Sequence, residues 1–196
     1  MDAAPSKKQL THERIVDAAA RAIRRGGFAG VGVAEVMKEA GLTHGGFYAH
    51  FASREALLCE ALERAGQDSA ERVAQSRASR QARGASPLRT FVDQYLSEQH
   101  LAGREQGCPV AALVSEMPRQ ADAVSEAAAR RVRTLVNAVR AVLPNGTSAA
   151  TAGAVTGQLV GALQLARALG DNAEGRALLA AARRAVLAQH DADPSH

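Results

Sequence analysis

The sequence predicts an all-α protein: a small N-terminal unit of three helices containing a helix-turn-helix, then a larger C-terminal helical bundle, about nine helices in all. Three observations point there. The composition is rich in alanine and poor in proline, with 46% of the 196 residues apolar and only 6 prolines, which favours helix over sheet. Apolar residues recur at helical spacing, and no alternating stretch competes as a strand. Glycine and proline fall between those stretches, where helices must stop. Aromatic residues make up only 3% of the chain, and Phe28, Phe47, Tyr48 and Phe51 all lie in its first 51 residues. The N-terminal part therefore packs around rings and the rest around aliphatic side chains, which implies two unlike helical modules.

Taken in order, residues 1–10 form a loose arm carrying Lys7 and Lys8, either laid along phosphates or simply frayed. Thr11 can cap a first helix whose inward face is Ile15, Ala18, Ala19, Ala22 and Ile23. Gly26 and Gly27 stop it, and Phe28 and Val31 turn inward. A second helix, from Val33 to Ala40, buries Val33, Val36 and Met37 and leaves Glu35, Lys38 and Glu39 to water. Gly41 ends it, and another short helix starts at Thr43. Two helices joined by about three residues make a helix-turn-helix. The second of them is about two turns long and holds Gly45, Gly46 and three aromatic rings, so it cannot hold itself together. Its neighbours must support it, and its composition must serve something other than stability. Contact with DNA is the best candidate.

Ser53 opens the fourth helix as N-cap, with Glu55 in the first turn where the dipole favours a negative charge. Leu57, Leu58, Ala61 and Leu62 face inward, Cys59 reads as inert core, and the helix continues as a connector to about residue 83. At Gly84-Ala85-Ser86-Pro87 the chain breaks, and Ser86 with Pro87 at the first helical position opens a fifth helix, to about Leu101. Gly103 and Gly107 bound a loop, and Cys108-Pro109 repeats the cap-plus-proline pattern before a short helix to Met117. A long amphipathic helix runs from Arg119 to Leu143 with Val124, Ala128, Val132, Leu135, Val139 and Val142 inward. Pro144-Asn145-Gly146 ends it. Helices from Ser148 to Leu169 and from Asn172 to Gln189 complete the bundle, and residues 191–196 are expected to be a disordered tail.

One stretch carries more than periodicity. Gly46-Phe47-Tyr48-Ala49-His50-Phe51 is followed by Ser53-Arg54-Glu55-Ala56-Leu57. It is preceded by Val36-Met37, by Ala40-Gly41-Leu42-Thr43, by Gly26-Gly27-Phe28, and by Ile15, Ala18 and Ala19. With these residues, Thr11 to Leu58 resembles the DNA-binding domain of the TetR/AcrR family of bacterial transcriptional regulators. The resemblance implies a homodimer that binds a roughly palindromic double-stranded DNA operator and lets go when the C-terminal domain takes up a small-molecule inducer. It implies residues 11–58 as the DNA-binding domain and residues 84–190 as the sensing and dimerisation domain. By position, Thr43, Tyr48, His50 and Arg54 match the family's phosphate contacts, and His44, Gly45 and Gly46 match positions facing base edges. The chain departs from the family where helix two opens: many members have Ser or Thr there, and this chain has Gly32-Val33.

The same residues can be read without the family. Gly45 and Gly46 put no side chain on the turn that would enter a groove, so backbone can approach a duplex closely, at roughly 1 kcal/mol of helix propensity each. His44 is then the main side chain able to reach a base edge, which leaves more of the work to phosphate contacts and DNA shape. Tyr48, His50 and Arg54 can donate to phosphate oxygens, while Phe47 and Phe51 face inward. Further on, Gly153, Gly157 and Gly161 share one face of a helix and together disfavour it by about 2–3 kcal/mol relative to alanine. Close approach of another helix offsets that, either within one subunit or across an isologous four-helix dimer interface. Cys108 stands where the positive end of a helix dipole favours a thiolate, so it reads as an electrophile or redox sensor or as a small packed cap. Phe91, Tyr95 and Met117, with Leu113, either line a modest apolar cavity or form plain core.

Composition excludes other classes. Net charge is +4, compatible with a nucleic-acid partner without demanding one. Two cysteines give no disulfide framework and no metal-ligand spacing. No secretory leader is visible, and the most apolar stretch, Ala149 to Leu169, is interrupted by Thr151, Thr156, Gln158, Gln164 and Arg167, so the chain reads as cytoplasmic rather than membrane-spanning. No catalytic motif stands out, and neither enzymatic activity, a metal nor a cofactor is expected. The competing class is a helical protein-interaction module that uses the same fold without DNA.

Overall fold

The computed structural model describes residues 4–81 and 84–191. Among them are nine α-helices, three short 3₁₀ segments and no strand. Residues 1–3 of the expected arm, the end of the expected connector at 82–83 and residues 192–196 of the expected tail lie outside the described residues.

Helix α1, Lys7–Gly26, begins four residues before Thr11. The Ser6 hydroxyl accepts the Gln9 N–H at 3.2 Å and the Gln9 side chain accepts the Ser6 N–H at 2.7 Å, a reciprocal capping box. Residues 7–10 of the expected loose arm are thereby the first turn of a helix, and the Thr11 hydroxyl instead donates to the Lys7 carbonyl. All five predicted inward residues of α1 are buried. Helix α2, Val33–Glu39, stops in a Schellman motif: Leu42 N–H donates to Met37 C=O at 2.8 Å and Gly41 N–H to Lys38 C=O at 2.9 Å. Gly41 has φ +72°, which explains the glycine there, and Arg14 of α1 donates to the Ala40 carbonyl just before it.

The expected second helix of the helix-turn-helix is a 3₁₀ segment, His44–Ala49, closed by Gly46 N–H to Thr43 C=O and His50 N–H to Phe47 C=O. Its two glycines and six-residue length supply too little for an α-helical nucleus, so the tighter form is what its neighbours hold. Helix α3, Arg54–Gln81, follows from the Ser53 cap. The aromatic core is as expected: Phe47 stacks on Phe51 with ring centroids 5.5 Å apart, and Phe28, Phe47 and Phe51 are all buried with Met37, Leu57 and Leu58. Arg24, its side chain only 1% exposed, pairs with Asp68 at 3.0 Å and donates to the Ala65 carbonyl, joining α1 to α3.

The expected fifth helix is two. Helix α4, Pro87–Tyr95, ends at Leu96, and α5, Glu98–Ala102, restarts where the Ser97 hydroxyl accepts the His100 N–H at 3.1 Å. Helix α6, Pro109–Leu113, is five residues long, and Met117 belongs to a following 3₁₀ turn rather than to the helix. Helices α7, Asp122–Arg140, α8, Ala149–Leu169, and α9, Ala173–His190, match the predicted spans within three residues at each end. Ser148 and Asn172 cap α8 and α9. Helix α3 is the shared member: α1 packs on its N-terminal half, α4 and α7 on its bundle side, while α8 and α9 form a hairpin behind α7 and α4. The buried residues form one continuous core.

Candidate nucleic-acid interface and ligand cavity

Around His44–Ala49 the inner and outer edges divide the work. Phe47 is 1% exposed and anchors the segment; Tyr48, next in sequence and edge-on to it at 5.2 Å, is 74% exposed. A large ring left that bare is held in place by Phe47 but covered by nothing. Thr43, His44 and Gly45 are exposed beside it. A Cβ at Gly45 would meet nothing within 4 Å, and one at Gly46 would meet only Met37 at an ordinary 3.5 Å. Internal packing therefore does not require either glycine; the bare backbone faces outward.

His50 lies at the side of this edge, half-buried, 6.0 Å from His12 of α1, which stacks on Phe51 and pairs with Glu60 at 2.6 Å. Burial, then His12 and Lys8, push the His50 imidazole below its usual range, and its buried Nδ1 finds no partner among the described residues. Lys7 and Lys8 occupy the first turn of α1, which holds no acid. Cations there oppose the helix dipole. From sequence these two are expected on a loose arm, laid along phosphates or frayed, whereas they belong to the helix that Ser6 caps. Arg54 is placed differently from the expected phosphate contact. Its guanidinium donates to the Val31 carbonyl at 3.1 Å and to the Phe28 carbonyl, so it ties the α1–α2 turn to α3.

Two contacts link this unit to the bundle. The Glu116 carboxylate, just beyond α6, accepts the Phe28 N–H at 3.0 Å, and Glu105 pairs with Arg25 at 3.3 Å. Gly27, at φ +71° and ψ −176°, lies against that carboxylate: a Cβ would sit 2.5 Å from one of its oxygens. Neither Glu116 nor Glu105 was visible as functional in sequence, since each partner is 80 or more residues away.

Within the bundle a cavity of about 300 Å³ opens between α3, α4, α6 and α7. Phe91 and Tyr95, ring centroids 5.9 Å apart and stacked, line it, one of the two readings the sequence left open for these rings, and Cys108, which the sequence did not place there, lines it too. Met117 does not; it is buried core, on a 3₁₀ turn outside the lining. The sequence analysis missed Thr90, Arg131 and Gly66, which also border the cavity.

Cys108 is 3% exposed, and its surroundings explain its loop. The Cys108 N–H donates to His100 Nε2 at 2.9 Å, so that nitrogen carries no proton, and His100 Nδ1–H donates to the Tyr95 carbonyl at 2.7 Å. Burial holds this imidazole neutral, its pKa pushed down to about 4. Arg167 donates to the His100 carbonyl at 2.7 Å. A Cβ at Gly107 would come within 2.8 Å of both Arg167 and His100, which accounts for glycine before Cys108. Burial, followed by the neighbouring Cys108, pushes the Tyr95 phenol well above its usual range.

On the opposite side, Gly153, Gly157 and Gly161 make one row on α8, and a Cβ on any of them would meet nothing within 4 Å. Close packing inside the subunit is therefore not what these glycines serve. Leu165 at 61% exposure and Leu169 at 39% extend the row, and Ala177, Ala181, Ala185 and Ala188 are exposed on α9. No helix among the described residues is long and apolar enough to cross a membrane, and no group of three metal-ligating side chains occurs among them.

These features define a helix-turn-helix protein whose exposed His44–Ala49 edge is built onto a cavity-bearing helical bundle. The chain matches, over residues 15–61, the family described as bacterial regulatory proteins, tetR family. It is 43% identical over 51 residues to the uncharacterized HTH-type transcriptional regulator YerO of Bacillus subtilis, a match covering 26% of this chain and 18% of that protein. An uncharacterized HTH-type transcriptional regulator of Mycobacterium tuberculosis is 30% identical over 115 residues, 58% of this chain and 57% of its own length. The matched part of the chain thus spans little more than half of these relatives at most. The fold extends further than the sequence match. A TetR-family regulator from Agrobacterium tumefaciens superposes with a TM-score of 0.74 at 23% identity, covering 94% of this chain and 99% of that one. Escherichia coli NemR in its reduced form gives 0.75 at 21%, covering 95% and 99%.

Proposed function

We propose that this chain is a DNA-binding transcriptional regulator, a cytoplasmic homodimer that is a repressor released from a palindromic operator by a small molecule. The observation that carries the DNA reading is the outer edge of His44–Ala49: exposed Tyr48, exposed His44 and two glycines that internal packing does not need. Thr43, Tyr48 and His50, joined by Lys7 and Lys8, grip phosphates; His44 reads a base edge; Gly45 and Gly46 let the backbone approach. Arg54 acts behind them by fixing the turn. The second subunit joins through the bare α8–α9 face, and isologous pairing of that face places two reading edges on one side, as half-sites about 34–36 Å apart require.

Selection of bound fragments from a random DNA pool tests this. The expected result is an inverted repeat whose affinity falls about a hundredfold or more between roughly 50 and 200 mM salt. Tyr48→Phe then weakens binding about two- to tenfold, the worth of one hydrogen bond, without changing the melting temperature. Recovery of no sequence, with no salt-dependent DNA binding, would favour the protein-interaction module instead. A thiol-reactive release is the second reading, favoured by the place of Cys108 on the cavity wall. If Cys108→Ser still responds fully to the inducer, the thiol is not the trigger.

A further inference from the structure

The cavity between α3, α4, α6 and α7 has a definite chemistry at its wall. Most of its lining is aliphatic or aromatic, so a ligand must be largely apolar, and about 300 Å³ is the small end of the range for small-molecule sites. Of the residues that border it, three carry a buried polar atom with no hydrogen-bond partner of ordinary geometry among the described residues: Thr90 Oγ1, Arg131 Nε and Tyr95 Oη, the last with the Cys108 thiol beside it. Thr90 and Tyr95 are 2% and 3% exposed, so bulk water does not satisfy their hydroxyls. Buried groups left in this state cost free energy that a matching ligand group recovers.

The charge at the wall has one sign. Arg131 is cationic, and no aspartate or glutamate borders the cavity among the described residues. Its carboxylate partner, Glu63 at 3.1 Å, stands outside the lining and is 49% exposed, and its other partner is the Thr134 hydroxyl at 3.3 Å. An arginine has only donors, and so what meets Nε must accept. The placement of this side chain is written into α3. Gly66 is an interior helical residue, and a Cβ there would meet Arg131 Nη1 at 2.5 Å and Cδ at 2.9 Å. A glycine inside a helix costs roughly 1 kcal/mol relative to alanine, and the space it opens is filled by the arginine.

We infer that the cavity takes a small apolar monocarboxylate, with its carboxylate on Arg131 and its hydrocarbon along Phe91, Leu135 and Val142. This rests on the regulator reading only for its consequence, since the ligand chemistry follows from the wall itself. An amine would bring a second cation to Arg131 without a counter-charge. An alcohol would satisfy one donor without the gain of a charged acceptor.

The test uses the full-length protein without DNA. Isothermal titration calorimetry compares octanoate, octan-1-ol and octylamine, three probes of one chain length and different head groups. Octanoate binds at least about tenfold more tightly than either competitor. In Arg131→Gln that preference falls to within about threefold, mostly through weaker octanoate binding, because the apolar part of the site is intact and the glutamine amide still offers a donor to the alcohol. Gly66→Ala, which favours the helix while crowding the guanidinium, reduces the preference in the same direction. The inference is overturned if octan-1-ol or octylamine binds as tightly as octanoate, if none of the three binds, or if Arg131→Gln leaves the preference intact. DNA selection is scored separately. A protein that binds octanoate but no DNA retains this site and loses the regulator reading, whereas one that binds DNA but no octanoate does the reverse.

Discussion

Gly27→Ala probes the joint between the helix-turn-helix unit and the bundle. Gly27 sits at φ +71° and ψ −176°, a region essentially confined to glycine, where a side chain costs about 1–3 kcal/mol. The added Cβ would also lie 2.5 Å from a Glu116 carboxylate oxygen. That carboxylate is the end of a flexible side chain and swings away, but in doing so it gives up the Phe28 N–H. A half-exposed hydrogen bond to a charged acceptor is worth about 1 kcal/mol. The expected total is therefore about 2–4 kcal/mol. The two parts separate in a double-mutant cycle with Glu116→Ala, where only the backbone strain remains, so the coupling energy is about 1 kcal/mol. Urea denaturation of the four proteins, followed by far-ultraviolet circular dichroism, supplies the numbers. A coupling indistinguishable from zero would mean that Glu116 does not bear on Gly27 in solution. A Gly27→Ala cost below about half a kcal/mol would refute the backbone argument too.

Three further outcomes are expected. Arg54→Ala lowers stability by about 2–3 kcal/mol because two carbonyls lose a charged donor, and Arg54→Lys restores only part of it, since a single ammonium cannot span both; a lost DNA affinity at unchanged melting temperature would show instead that Arg54 grips phosphate. Gly157→Arg adds about 1 kcal/mol of helix propensity to α8 yet yields a monomer in sedimentation at micromolar concentration, and a persisting dimer would move the interface elsewhere. His100 is neutral and depressed to about 4 in the fold against 6.5 unfolded, so its contribution is complete above pH 6.5 and is lost as pH falls toward 4. That amounts to about 3 kcal/mol, and stability measured across this window falls less steeply, by up to about one proton, in His100→Gln.

What local sequence could show, it showed well. The inward faces of α1 and of the start of α3 follow from a 3.6 period, the Pro144-Asn145-Gly146 stop lies just beyond α7, and the expected starts at Ser148 and Asn172 fall on the caps of α8 and α9. Where two local cues competed, the weaker-looking one won. Ser6 with Gln9 three residues on is a full capping box, yet Thr11 lay nearer the first apolar residue. Ser97 restarts a helix that periodicity alone carries through to Leu101. The α-helical form assumed for His44–Ala49 ignored how little six residues with two glycines contribute to an α-helical nucleus. The remaining gaps are long-range pairs. Arg54 lies beside carbonyls 23 and 26 residues back, Glu116 meets a turn 88 residues away, and Arg131 occupies a notch made by Gly66. No local period encodes such partners, because each depends on which helix faces meet only after the core has formed.

Those long-range pairs also say how a cavity in one module can matter to an edge in the other. Helix α6 is five residues, about 7.5 Å long. Its cap and first residues, Cys108, Pro109 and Val110, border the cavity, while the segment leaving its other end carries Glu116 to the Gly27–Phe28 turn. That same turn is held from the opposite side by Arg54, the residue that opens α3 behind Tyr48 and His50. A ligand changes DNA affinity only through contacts that differ between two arrangements of the protein. On the proposed function, an occupied cavity that displaced α6 would also move Glu116, whose carboxylate accepts the Phe28 N–H beside Gly27. On this path Glu116→Ala leaves ligand affinity intact and reduces the ligand's effect on DNA binding, which anisotropy of a labelled operator with and without ligand measures directly. Full ligand-driven release in that variant would place the coupling along α3 instead.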